Sequence, residues 1–169
     1  MVRDIVFLGV AVLFTVLAGM FAAADTALST VSPARAGDLV KDERLGAKRL
    51  VAALENKATY VGLTVLLRVL FETAAKAFVV VAAVSALGVG WGLLASIAAM
   101  TVISFVAVGV GPRTLGQQHA YSIALIAAPV LTALGVLLKP VTRMLILLGN
   151  ALTPGRGYRN GPFATEVEV

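Results

Sequence analysis

Tyr60–Leu87, YVGLTVLLRVLFETAAKAFVVVAAVSAL, is the stretch that decides the fold. It is almost wholly apolar over about 28 residues, enough for a helix to cross a hydrocarbon core roughly 30 Å thick. It also carries Arg68, Glu72 and Lys76, which on a helix share one face, one turn apart. A charge at the bilayer centre costs about 2.5–3.5 kcal/mol on the insertion scale, so three isolated charges would approach the favourable transfer energy of the whole segment. They are tolerable when they pair and face protein or trapped water. Glu72 can answer both cations, and Glu before Lys at this spacing is the favourable order. The three residues therefore read as a structural ion-pair ladder at a helix–helix or dimer interface, as the lining of a polar ion pathway, or as a shallow helix with snorkelling ends.

Composition supports the membrane reading. The chain has 169 residues, 59% of them hydrophobic, and a mean hydropathy of +0.95. A soluble domain of this length has too little interior for that much apolar surface. Cysteine is absent, which removes disulfides and thiolate metal sites. The net charge is +5, yet no basic stripe with interleaved aromatics suggests nucleic acid. The bilayer is the expected partner.

The first apolar run, residues 5–24, matches one spanning helix. A cleaved signal peptide is its rival, because Ala22-Ala23-Ala24 resembles a small-residue cleavage site, but the charge of Arg3 is cancelled by Asp4 and the run is long for an h-region. Asp25 is expected to close this span. Thr26, Ser29, Thr30 and Ser32 can bond backbone carbonyls or cap a helix, and Ser32-Pro33 reads as a helix start. From there to Lys57 the pattern is polar and helical, with Gly46 breaking it into a hairpin of two short helices. Arg35, Lys41, Arg44, Lys48, Arg49 and Lys57 make this the most basic loop, so it is expected in the cytoplasm.

After Leu87, Gly88–Gly92 reads as a tight turn with Trp91 at the opposite interface. A third span follows from about Gly92 to Gly111. It is rich in small residues that allow close helix approach; Ser96, Thr101 and Ser104 are its other polar groups. Pro112-Arg113 is expected to end it. His119 has no second histidine and no nearby carboxylate, which favours capping or interfacial hydrogen bonding over a metal role. Residues 120–138 are apolar enough for a fourth span. A crossing there would put Lys139, Arg143, Arg156 and Arg159 opposite the basic hairpin, and Pro129 and Pro140 interrupt the run. A kinked juxtamembrane belt helix, continued by Val141–Leu152, fits better. Residues 153–169, containing PGRGYRNGP, read as a linker toward a further domain. The expected fold is thus an all-α membrane protein with three transmembrane helices, a cytosolic helical hairpin after the first and a juxtamembrane belt. The N-terminus lies outside the plasma membrane and the C-terminus in the cytoplasm.

Phe21-Ala22-Ala23-Ala24-Asp25-Thr26-Ala27-Leu28, followed by Ser32 and Arg35, resembles the F-x-[SA]-x-[SA]-E-x-A-L…S-x-x-R entry of the CNNM/CorC transmembrane domain. Pro112-Arg113-Thr114-Leu115, with His119-Ala120, resembles that family's E-x-x-P-K-[TS]-L-A…H-A stretch after the third span. The layout matches as well, and haemolysin-like actinobacterial members look nearest. Residues 1–152 then correspond to the transmembrane domain, and residues 153–169 lead toward nucleotide-binding CBS domains in the cytosol. The resemblance implies Mg²⁺ export by a two-fold dimer that binds the ion in an inward-facing cavity of small polar residues and one acid. Here the acid is Asp25. The family's hydroxyl before it falls on Ala22 or Ala24, its Gly-Asn pair near Leu67-Arg68, and its third-span Glu on Gly109.

The oxygens available to an ion pathway are then Asp25, Ser29, Thr64, Glu72 and Thr73, with Arg68 and Lys76 as fixed cations. Two functions compete: a divalent-cation transport domain with its ion ligands partly replaced, and a non-transporting member that serves as a membrane scaffold or partner-binding subunit. In the second, Arg68 fills the old site. An intramembrane enzyme has little support, with one His, no Cys and only Lys76 as a base for Ser29 or Ser104. Small polar interfaces favour association, so a homodimer, or a heterodimer with a related chain, is expected.

Overall fold

The computed structural model describes residues 2–152; the linker read at 153–169 lies outside them. Among the described residues every regular element is helical. Helix α1 spans Val2–Thr30, α2 Pro33–Lys41, α3 Ala47–Glu55, α4 Lys57–Leu87 and α5 Val89–Ile103. A π-helical turn over Ser104–Val110 joins α5 to α6, Gly111–Gln118, and α7 covers Ala120–Leu152.

The α1–α4 pair is the axis of the molecule. Phe7, Phe14 and Phe21 recur every seven residues on α1, as do Phe71 and Phe78 on α4, a spacing that keeps one seam facing its partner. The rings interlock, with Phe7 to Phe78 at 5.6 Å between centroids, Phe14 to Phe71 at 5.6 Å, and Phe21 stacked on Phe71 at 5.7 Å. Each such contact contributes about 0.5–1.5 kcal/mol beyond simple burial. Arg3 near the start of α1 donates to the Ser85 hydroxyl near the end of α4, at 3.2 Å. The two helices therefore run antiparallel over nearly their whole length.

Three segments are long and apolar enough to cross a membrane by length and composition: Val2–Thr30, Val89–Gln118 and Ala120–Leu138. Helix α4 carries three charges in its middle, so its depth is read from packing instead; it lies alongside α1 from end to end. Helix α7 meets a different environment. Its buried residues Ala120, Ala124, Ala128 and Leu131 share one core with Ala27, Leu28 and Val31 at the end of α1, with Ala36, Leu50 and Leu54 of the hairpin, and with Val61, Leu63 and Leu67 of α4. It thus packs across the hairpin end of the α1–α4 pair, as a belt does. Pro129 and Pro140 sit inside it, and the Thr132 and Thr142 hydroxyls donate to the Pro129 and Leu138 carbonyls at 2.9 and 3.0 Å.

The hairpin forms as its sequence indicates. Ser32 caps α2, its Oγ accepting from the Arg35 amide at 3.3 Å, with Pro33 in the first turn. Gly46 takes φ 84°, and a Cβ there would lie 2.5 Å from the Leu125 carbonyl oxygen. Glycine is thus required both by the turn and by the approach of α7. The Arg35 guanidinium lies over the Tyr121 ring at 5.1 Å, joining hairpin to belt.

Three boundaries differ from the sequence reading. Asp25 does not close α1; the helix continues to Thr30, with the Thr26 and Thr30 hydroxyls donating back to the Ala22 and Thr26 carbonyls at 3.1 and 2.8 Å. Pro112 does not end the third helix. Proline lacks an N–H and its ring clashes with the carbonyl four residues back. The π-turn absorbs that misfit: the Gly111 amide bonds to the Val106 carbonyl, five residues back, and helix resumes through Pro112 to Gln118. The loop expected at Gly88–Gly92 shrinks to Gly88, which caps both α4 and α5.

Candidate functional site

The charged face of α4 turns away from the aromatic seam toward α5 and the π-turn. Lys76 Nζ meets Glu72 Oε1 at 2.8 Å, and Arg68 Nε approaches Glu72 Oε2 at 3.9 Å. The first is a hydrogen-bonded ion pair; the second is too long for one. Glu72 thus belongs mainly to Lys76, and Arg68 Nε has no hydrogen-bond partner although the atom is buried. Ser104, the first residue of the π-turn, faces Glu72; its buried Oγ is near that carboxylate but makes no hydrogen bond of full geometry.

Arg68 points into a cleft of about 310 Å³ bounded by Ala22 and Thr26 of α1, Gly109 of the π-turn, and Arg113 and Gln117 of α6. On its other side, Arg68 also borders a second opening of about 560 Å³ with Lys76, Ser96, Met100 and Ser104. Asp25, half-buried, is not part of the cleft lining but lies within electrostatic reach of Arg68 and Arg113, which are, and it faces the Thr64 hydroxyl. Thr64 is fully buried, and its hydroxyl donates to the Val61 carbonyl at 2.7 Å. No cation lies within 4 Å of the Asp25 carboxylate among the described residues.

This geometry sorts the residues singled out in the sequence. Asp25, Thr64, Arg68 and Glu72 lie together, with Lys76 held on Glu72. Ser29 and Thr73 do not join them. Both are exposed, and what Ser29 contributes is its backbone carbonyl, which accepts from Lys57 Nζ at 3.0 Å. Of the two alanines placed at the resemblance's hydroxyl position, Ala22 lines the polar cleft. Ala24 lines a wholly apolar cavity of about 390 Å³ between α1 and α7. Arg68 faces the cleft, whereas Leu67, one residue earlier, is buried in the main core. Gly109 borders the cleft. Three of the substituted positions, Ala22, Arg68 and Gly109, therefore meet in one cavity.

Sequence reasoning missed Arg113, Thr114 and Gln117 as cleft residues, because it ended the third helix at Pro112 and left them in a loop; it missed Thr26 because it closed the first span at Asp25. The signal was present: Arg113 and Gln117 are four apart, one turn of helix. Close packing holds α6 here. A Cβ on Gly116 would lie 2.6 Å from the Ala23 carbonyl oxygen and 2.9 Å from Thr26 Cβ, so only glycine lets α6 lie against α1. His119 is exposed and serves α6 through its backbone, its amide bonding to the Leu115 carbonyl at 2.9 Å. No group of three or more His, Cys, Asp or Glu side chains suited to a metal occurs among the described residues.

Residues 9–169 match the model of the CNNM family, described as the cyclin M transmembrane N-terminal domain. A UPF0053 protein of Mycobacterium bovis and one of Mycobacterium tuberculosis are each 53% identical to the chain over 153 residues, covering 90% of it. The chain spans 35% of the length of each of these relatives. It belongs to the CNNM family, as an α-helical membrane domain of that family.

Proposed function

We propose that this domain serves an ion-transport protein of the CNNM type, that its polar pathway is the Asp25–Arg68 cleft, and that Arg68 acts there as a tethered cation. The carrying observation is that Ala22, Arg68 and Gly109, the positions where the family pattern places oxygen ligands, border one cavity beside Asp25. Mg²⁺, as cargo, needs hard oxygens in near-octahedral array. One carboxylate and an engaged threonine hydroxyl supply too few of them. A divalent ion within about 5 Å of Arg68 is repelled by several kcal/mol at an effective dielectric near 20. Divalent binding at Asp25 therefore requires Arg68 to move aside or be replaced.

The basic hairpin supports one orientation over the other. Lys41, Arg44, Lys48 and Arg49 favour the hairpin end and α7 at the cytoplasmic face of the plasma membrane by the positive-inside rule. Exposed Trp91 then anchors the opposite interface. The domain works as a homodimer, its small-residue third helix supplying a close interface.

The test is ion flux into proteoliposomes. Arg68→Asn is expected to carry Mg²⁺ well above empty vesicles and above the native chain, and Asp25→Asn on that background to abolish it. Absence of flux from every folded variant would reject the pathway. A second reading, a non-transporting subunit that docks a partner or pairs with a related chain, draws on the same residue: Arg68 fills the cleft permanently. Flux of any ion through the native chain, stopped by Asp25→Asn, would exclude it.

A further inference from the structure

The cleft carries more positive than negative charge. Arg68 and Arg113 both border it, and Asp25 is the carboxylate that faces them. Glu72 is held by Lys76 at 2.8 Å, whereas Arg68 lies 3.9 Å from it with Nε buried and unbonded. Arg113 has no ion pair within 4 Å among the described residues. Arg113 is exposed, but the partly buried Arg68 guanidinium, without a full partner, is costly. It favours a planar or tetrahedral oxyanion that can take two N–H bonds at once.

The remaining polar groups agree in sign. The Thr26 and Thr114 hydroxyls already donate to the Ala22 and Val110 carbonyls, at 3.1 and 2.9 Å. The free donors at the cleft are thus the two guanidiniums and the Gln117 amide. About 310 Å³ accommodates a group the size of phosphate.

We propose that the cleft between Arg68 and Arg113 binds an oxyanion of the phosphate class, the guanidiniums gripping it and Gln117 completing the donor set. The bound group neutralises the excess cation, which leaves Asp25 free of the arginines. The inference rests on the cleft as functional site but not on transport. Free phosphate and a phospholipid headgroup share this chemistry.

The experiment follows thermal unfolding of the purified full chain in neutral detergent, with inorganic phosphate against chloride at matched ionic strength. A second arm compares micelles containing phosphatidylglycerol with micelles containing phosphatidylcholine. The expected result is a saturable rise in midpoint with one of the two phosphate probes. Arg113→Gln, at an exposed position that spares the fold, should weaken the apparent affinity at least tenfold, while Lys48→Gln in the hairpin leaves it unchanged. A response to inorganic phosphate identifies a free anion; a response to phosphatidylglycerol alone identifies a headgroup. No response to either probe, or equal loss in Lys48→Gln and Arg113→Gln, overturns the proposal. Mg²⁺ flux measured on the same preparations is an independent readout, so either idea can fail without the other.

Discussion

The two faces of α4 solve the same problem in opposite ways. One face buries Phe71 and Phe78 against a seven-residue ladder of phenylalanines on α1. The other, at the same depth, holds Arg68, Glu72 and Lys76 against a π-turn and two openings. The aromatic face is complete, each ring having a partner. The charged face is not, since the buried Arg68 Nε is left without a hydrogen bond. Stability therefore resides on the first face, and the unfinished polarity of the second is what the proposed function rests on.

The largest effect should come from the aromatic face. Phe71 touches Phe14 and Phe21 and packs against both apolar cores. Phe71→Ala is expected to cost about 3 kcal/mol, seen as a large fall in unfolding midpoint in detergent. Glu72→Gln comes next. It strands Lys76 and Arg68, at on the order of 2 kcal/mol; this lies below the range for a fully buried pair because the Lys76 side chain is 46% exposed against 17% for Glu72. Arg68→Met separates the two ideas more sharply. It removes a cation while keeping its apolar stem and the Glu72–Lys76 pair. Stability should stay level or rise by about 1 kcal/mol, since an apolar replacement of a poorly paired charge is often neutral or better. A loss as large as that of Phe71→Ala would mean that the charged face is structural after all.

The smallest effect is a control on the ladder. Asp38 and Lys41 on α2 pair at 3.1 Å with side chains 66% and 80% exposed. The chemistry is that of Glu72–Lys76, but water screens it. Lys41→Ala should change stability by less than about 0.5 kcal/mol.

The same contrast explains what was legible beforehand. The all-helical class, the Ser32 cap, the Gly46 break and the paired charges of α4 depend on neighbours in sequence, and they could be read there. The helix over 120–152 was legible from its apolar run, whereas its packing across the hairpin end of α1 and α4 required the folded structure. The π-turn was missed because Pro112 normally stops a helix; its accommodation depends on the Gly111–Val106 hydrogen bond and on α6 packing through Gly116. That error hid Arg113 and Gln117 from the site. The phenylalanine seam was visible as a seven-residue spacing but only becomes informative once α1 and α4 are paired. The division between Ala22 and Ala24, two residues apart on different sides of α1, required the packed structure.

The most direct test of the tethered-cation account is Mg²⁺ titration calorimetry on the native chain beside Arg68→Asn, with folding verified for both. The account predicts no specific Mg²⁺ heat from the native chain, and weak saturable binding in Arg68→Asn that disappears when Asp25→Asn is added. Specific, saturable Mg²⁺ binding by the native chain, unchanged in Arg68→Asn, would contradict it.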